Sequence, residues 1–185
     1  MKYSVFILLV LLMNSCASYM DVPKNSINNN SMVFEYGNSD NKLKYINKVN
    51  TSADQDIYYT THFSITLPKN IVNWNVSSNN FFFEYDDKQI FYIYSSYKNE
   101  GQESGNWELK DIDYNEVLKY IGEYWDKRKY NENYLYKAHN GRVSKFYTNG
   151  KYKILLYNIK TENFQIFIQS AKTFNTNLLT SPEKS

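Results

Sequence analysis

Hydrophobic and polar residues alternate with a period of two along much of the chain after residue 56, and this alternation predicts β-strands. Two turn signals between the alternating segments, Asn140-Gly141 and Asn149-Gly150, tolerate the positive φ of a tight hairpin turn. We therefore expect an antiparallel sheet of about six strands, with a meander in its C-terminal half. The segments with strand character are 57–67, 80–85, 89–94, 134–138, 142–148, 151–160 and 164–169.

Residues 113–129 follow the period of an α-helix instead. Asp113 can cap the start of this helix, and Glu116 lies three residues later, as in a capping box. A second, short helix is expected over residues 170–179, near the C-terminus. A sheet with one face covered by helices is an α+β fold, and we predict that class. The apolar stripe of the main helix comprises Tyr114, Val117, Leu118, Ile121 and Trp125.

The start of the chain has a different pattern from the rest. Lys2 precedes an unbroken apolar run over residues 5–13, and Ser15 and Cys16 follow shortly after it. A charged start, an apolar run of about 7–15 residues and a small residue before the cleavage point are typical of a secretory signal. The run is shorter than the roughly 20 residues that a transmembrane helix needs. The sequence therefore predicts a signal peptide over residues 1–15.

Residues 12–16, Leu-Met-Asn-Ser-Cys, resemble the lipobox of bacterial lipoproteins. This resemblance implies cleavage just before Cys16 and lipidation of its sulfur, so that the protein is anchored in a membrane. In that family an aspartate after the cysteine favours the inner membrane. Ala17 stands there instead, which implies the outer membrane. The alternative is an incidental cysteine that is removed with its signal peptide.

The composition after Cys16 divides the chain further. Residues 16–55 are rich in Asn and Ser, and a segment of this kind buries too little apolar surface to offset its ordering entropy. We expect a lipidated N-terminus and flexible linker there, a single α+β domain over residues 56–180, and a disordered tail over residues 181–185. Because Cys16 is the only cysteine, the mature chain forms no internal disulfide.

Residues 63–76, FSITLPKNIVNWNV, and residues 166–174, IFIQSAKTF, look like segments of the PsbP-like group. In that group a strand ends in proline before a loop tryptophan, and an antiparallel sheet lies between helices. The resemblance implies a binding or assembly role, because no common chemistry defines the group. A shared fold is weak support for a shared function.

Catalytic and metal-binding residues are sparse. His62 lies in a predicted strand and His139 beside a predicted turn, and the two histidines lack a recognisable catalytic or metal-ligand spacing. The adjacent Asp86 and Asp87 are typical of a turn. The formal charge of +2 comes from lysines and acids that alternate along the chain, so no field selects nucleic acid. We expect no metal, no cofactor and no nucleic-acid partner.

The aromatic residues are the remaining candidates for a ligand site. Four of them are Trp74, Trp107, Tyr92 and Tyr94, whose side chains suit recognition surfaces when they are exposed. The alternative is that they stabilise the sheet. The aromatic residues lead to one further hypothesis, a surface binder of a glycan or small ligand. His62 or His139 with a nearby acid leads to another, an unrecognised hydrolase.

Taken together, these features favour a protein of the cell envelope that is not an enzyme. The lipid anchor gives it a membrane as one partner, and its α+β domain binds or assembles with another envelope protein. The glycan binder and the hydrolase remain the alternatives.

Overall fold

The computed structural model describes residues 27–28, 32–45, 62–77, 79–96, 101 and 105–177. These residues form two antiparallel sheets and two α-helices, which confirms the predicted α+β class. The signal peptide at residues 1–15, the lipidation site Cys16 and the tail at residues 181–185 lie outside the described residues.

The smaller sheet contains the first four strands in the order β1-β2-β3-β4. Every neighbouring pair is antiparallel, so this sheet is a meander. Side chains of alternate residues point inward, and Phe34, Leu43 and Ile65 are buried. The strands are β1 (Ile27–Asn28), β2 (Met32–Tyr36), β3 (Asn41–Tyr45) and β4 (Phe63–Leu67).

The free edge of β4 is closed by the C-terminal part of the chain. Ser64 and Asn175 exchange two backbone hydrogen bonds of 2.8 and 2.9 Å. The backbone N–H of Thr66 donates to the hydroxyl of Thr173 at 2.8 Å. An unpaired strand edge can pair with the strands of other chains. These contacts occupy the free edge of β4 and so prevent such pairing there.

The larger sheet has six strands in the order β5-β6-β7-β10-β9-β8. The predicted hairpins over 80–94 and around Asn149-Gly150 are confirmed, because β6 pairs with β7 and β9 pairs with β10. The strands are β5 (Asn73–Ser77), β6 (Asn80–Tyr85), β7 (Gln89–Tyr94), β8 (Glu108–Asp111), β9 (Arg142–Thr148) and β10 (Lys153–Lys160).

Helices and the smaller sheet cover both faces of the larger sheet. Helix α1 (Val117–Lys127) packs on one face, where Phe82, Trp125 and Tyr157 belong to one buried cluster. The smaller sheet and helix α2 (Phe164–Lys172) pack on the other face, in a cluster that includes Phe63 and Phe91. The core of the domain is therefore two apolar layers with the larger sheet between them.

Helix α1 begins later than its predicted bounds of 113–129. Asp113 caps a turn before the helix, since its carboxylate accepts the backbone N–H of Asn115 at 2.9 Å. Glu116 is in αR conformation and forms no side-chain cap, so the predicted capping box is not formed. The helix begins at Val117, which is also the first buried residue of the apolar stripe.

The segment 164–169 is helix α2, and the strand predicted there is wrong. The short C-terminal helix was predicted over 170–179. It lies earlier in the chain, since α2 begins at Phe164 and ends at Lys172. Phe167, Ile168 and Ala171 are buried together, whereas Ile166 is exposed. This helical spacing decides the conformation, although Phe164, Ile166 and Ile168 also fit a period of two.

Other segments also differ from the sequence-based expectation, and one of them is 108–111, which forms β8 although no strand was predicted there. Residues 32–45, expected within the flexible linker, form β2 and β3, because Phe34 and Leu43 reach the core. Residues 73–77, expected as a loop, form β5. Residues 134–138, expected as a strand, are the end of a short 3₁₀ helix (Glu132–Tyr134) and a turn, so the hairpin predicted at Asn140-Gly141 is wrong. Tyr134 instead stacks on Trp125 with ring centroids 5.8 Å apart.

Candidate functional site

A cleft of about 690 Å³ opens between the end of β4, the β6–β7 turn and helix α2. We call it the α2 cleft. Its floor is apolar because three buried side chains, Leu67, Tyr85 and Phe167, meet there. The rings of Tyr85 and Phe167 pack edge to face with centroids 4.8 Å apart, and the Tyr85 hydroxyl donates to the carbonyl of Pro68 at 3.2 Å. These contacts fix the floor.

Helix α2 supplies one wall of the cleft. Gln165, Ile166 and Gln169 line it and are exposed, and Ile166 has 59% of its surface accessible. Neither glutamine amide has a hydrogen-bond partner among the described residues. A single exposed isoleucine is ordinary on a protein surface, but this one borders a concave space of ligand size.

A buried amide joins this wall to the larger sheet. Gln89 is 3% exposed, and its Oε1 accepts the backbone N–H of Lys160 at 2.9 Å and the side-chain N–H of Asn163 at 3.2 Å. Its Nε2 donates to the carbonyl of Asp86 at 3.0 Å. Gln89 therefore fixes both the β6–β7 turn and the start of α2, so two sides of the cleft are held in a constant relation.

The charged side chains of the cleft differ in how they are paired within the protein. The Lys69 ammonium donates to the carbonyl of Gly37 at 2.8 Å and lies 3.1 Å from the ring centroid of Tyr36. Asp40 and Asp86 carry the carboxylates among the described residues of the lining. Asp40 has no ion pair with any cation of the described residues. The described residues of the lining thus carry a formal negative charge, and the ammonium of Lys69, the lysine among them, contacts Gly37 and Tyr36.

A second polar cluster lies on the opposite face of the larger sheet. Glu84 is 2% exposed, and its carboxylate accepts hydrogen bonds from the hydroxyls of Tyr124 at 2.7 Å and Tyr130 at 2.6 Å and from Nε of Arg128 at 3.0 Å. Burial is the largest cause that raises the pKa of Tyr124, and the adjacent Glu84 carboxylate raises it further. The Tyr124 hydroxyl therefore stays protonated and donates its hydrogen bond. Buried charges are tolerated when they are paired and hydrogen-bonded, and this cluster fastens α1 to the sheet.

The four aromatic residues proposed as a ligand site do not lie together. Tyr92 is 2% exposed, its hydroxyl donates to Asn80 at 2.7 Å, and Tyr94 is half-buried on the same face, beside α1. Trp74 and Trp107 pack on the other face, and Trp107 stacks on Tyr147 with centroids 4.7 Å apart. None of the four lines the α2 cleft.

The two histidines also lie in separate places. His62 precedes β4 of the smaller sheet. His139 stacks on Tyr134 with centroids 3.7 Å apart, and its Nε2 is 2.9 Å from the carbonyl oxygen of that residue. Within the described part of the chain, no three His, Cys, Asp or Glu side chains come together as a metal site requires.

No family model, curated protein or solved structure matches this chain. The helices that the structure describes are all too short or too polar to cross a membrane.

Sequence reasoning did not find the α2 cleft. Its walls come from segments that are far apart in the chain, around residues 40, 68, 86 and 166. One signal was present in the sequence. The spacing of Phe164, Phe167, Ile168 and Ala171 fits a helix, and that helix would have left Gln165, Ile166 and Gln169 on its outer side.

Proposed function

We propose that this protein is a lipid-anchored component of the bacterial cell envelope, held by Cys16, whose α+β domain binds another envelope protein through the α2 cleft. The observation that carries the proposal is the cleft itself, with its apolar floor, its exposed Ile166 and its rim of neutral amides. Protein-binding surfaces commonly combine an apolar centre with a polar rim, and this cleft has that arrangement.

The hydrogen bonds that hold the cleft in shape support a binding role. Gln89 holds two of its sides together, so that the cleft is formed before any partner arrives. A preformed surface avoids part of the ordering cost of association. The lipid anchor adds to this effect, because tethering both proteins to one envelope raises their effective concentration.

A photocrosslinking experiment in intact cells tests this function. Ile166 is replaced with the photoreactive residue benzoylphenylalanine, and Leu118 is replaced in the same way as a matched control. Leu118 is also an exposed aliphatic residue, but it lies on α1, on the other face of the larger sheet. We expect one adduct of defined mass from position 166 and none from position 118. No adduct at 166, or the same adducts at both positions, would refute the proposed binding surface.

The anchor has its own test. We expect Cys16→Ala to leave the signal peptide uncleaved or to release the protein from the membrane fraction, since this variant has no thiol for lipidation. If Cys16→Ala fractionates and migrates like the parent protein, the lipoprotein assignment is wrong, whatever the crosslinking shows.

A binder of a small ligand or glycan is the second candidate. The volume of the α2 cleft favours it, because sites for small molecules typically enclose about 300–1,000 Å³. Among the described residues that line the cleft, no aromatic ring is exposed for a sugar to stack on, since Tyr85 and Phe167 are buried. We therefore place the protein partner first.

A further inference from the structure

We propose that the α2 cleft binds its partner as an extended peptide segment that carries a Lys or Arg side chain and apolar side chains. This inference rests on the proposed function and specifies the chemistry of the partner. Three properties of the cleft support it: the spacing of its free amides, its apolar floor and the sign of its charge.

The amides on α2 have the spacing of an extended chain. Gln165 and Gln169 are one helical turn apart, which places them about 6 Å apart along the helix axis. In an extended peptide, residues that point the same way recur about every 6.6–6.8 Å. Each glutamine side chain has two N–H donors and a carbonyl acceptor, which match the one acceptor and one donor of a peptide group. Two such amides at this spacing can pair with successive outward-facing peptide groups of one strand.

The floor selects apolar side chains between those hydrogen bonds. Ile166 lies between the two glutamines in sequence and is exposed at the edge of the cleft. The floor itself consists of the buried Leu67, Tyr85 and Phe167. Because successive side chains of an extended peptide point to opposite sides, one set can contact the exposed Ile166 at the edge of this floor while the other faces solvent. A glycan offers hydroxyl groups for the amides but no aliphatic side chain for the floor.

The charge of the lining selects a cation. Asp40 and Asp86 are the lining carboxylates, and the ammonium of Lys69 is held by Gly37 and Tyr36. Asp87, the residue after Asp86 in the same turn, differs from Asp40, because Asp87 is already paired with Lys160 at 2.6 Å and Arg142 at 3.6 Å. A basic side chain from a partner would give Asp40 the ion pair that the described residues do not supply.

Two defined peptides test the inference with the full-length chain in mild detergent. One is the blocked, fluorescently labelled peptide Thr-Ile-Thr-Lys-Thr-Ile-Thr-Lys, and the other has Glu at both Lys positions. Fluorescence anisotropy measures both affinities at an ionic strength of about 0.01 M, where the Debye length is about 30 Å, and at about 0.15 M, where it is about 8 Å. We expect the Lys peptide to bind more tightly, and the difference to shrink at the higher ionic strength.

Neutral variants of Asp40 and Asp86 test whether these two carboxylates cause the preference for the Lys peptide. Asp40→Asn and Asp86→Asn keep the shape of each side chain and remove its charge. Each should weaken binding of the Lys peptide by about two- to fivefold, the range of an exposed ion pair, and should not weaken binding of the Glu peptide. Asp126→Asn, on the exposed surface of α1, is the matched control and should change neither affinity.

The outcomes separate this inference from the proposed function. Equal affinities, tighter binding of the Glu peptide, or equal effects of Asp40→Asn and Asp126→Asn overturn the inference alone. The inference also fails if neither peptide binds while crosslinking from position 166 captures a partner. If that adduct is a second copy of this chain or a glycan-bearing species, the inference fails as well. Absence of both peptide binding and crosslinking overturns both proposals.

Discussion

The buried carboxylate of Glu84 allows a quantitative test of how α1 is held on the larger sheet. Tyr124→Phe removes one of its three hydrogen-bond donors and keeps the ring that stacks on Phe82 at a centroid distance of 5.1 Å. The loss of apolar burial is therefore small. The remaining donors to the carboxylate are Tyr130 and Arg128.

The expected cost follows from the kind of hydrogen bond that is removed. A hydrogen bond to a charged group contributes about 1.5–3 kcal/mol to stability. The amide of Asn73, which donates to the same Tyr124 hydroxyl at 3.1 Å, also loses its acceptor, but it is only half-buried and water can replace that contact. We therefore expect Tyr124→Phe to lower the free energy of unfolding by about 2–3 kcal/mol.

Urea unfolding of the full-length chain in detergent, followed by tryptophan fluorescence, measures this cost. The midpoint should fall while the slope of the free energy against urea concentration stays the same. Tyr136→Phe is the control, because it also removes a hydroxyl that bonds to a carboxylate, that of Glu132, but this pair is on the surface. Its effect should stay within about 0.5 kcal/mol. Equal effects of the two substitutions would show that the Glu84 cluster does not stabilise the fold.

Two further predictions concern the β6–β7 turn. A hydrogen bond from Lys160 is the largest cause that lowers the pKa of Asp87 below 3.8, so the ionised carboxylate stabilises the folded state. Asp87→Asn should lower the urea midpoint slightly at pH 7, and this difference should disappear as the pH falls below 3.8 through the folded-state pKa; a difference that persists at lower pH contradicts the ion-pair explanation. Asn158 has a φ of 56° and donates to the carbonyls of Asp87 at 2.9 Å and Lys88 at 3.1 Å. Asn158→Ala should therefore cost about 2–4 kcal/mol in the same assay, whereas Asn133→Ala on the surface should cost much less, and similar costs would refute this role.

Local patterns predicted those parts of the fold that local interactions determine. The hairpin over residues 80–94 and the turn at Asn149-Gly150 were predicted because strand alternation and turn propensity coincide there. The apolar stripe of α1 has only one plausible period, so its position was also predicted. In each of these segments the conformation that short-range interactions prefer is the one that the core requires.

The segments that were missed depend on distant parts of the chain. Residues 32–45 are polar in composition, and their order depends on the burial of three apolar residues, Met32, Phe34 and Leu43, in a core made mostly by later residues. Residues 73–77 contain two asparagines and become a strand because β6 offers a pairing edge. The α2 cleft is a third case, because its shape exists only after four separate segments have packed together.

The closure of the β4 edge by the C-terminal residues affects the order in which parts of the domain fold. Ser64 meets Asn175 across more than a hundred residues of chain, and the contact between Thr66 and Thr173 spans 107 residues. Contacts between such distant residues are slow to form, because the intervening loop must first lose its entropy. The smaller sheet is synthesised first but is completed last, when residues 173–175 have left the ribosome. A nascent chain that lacks them keeps one row of β4 amides unpaired.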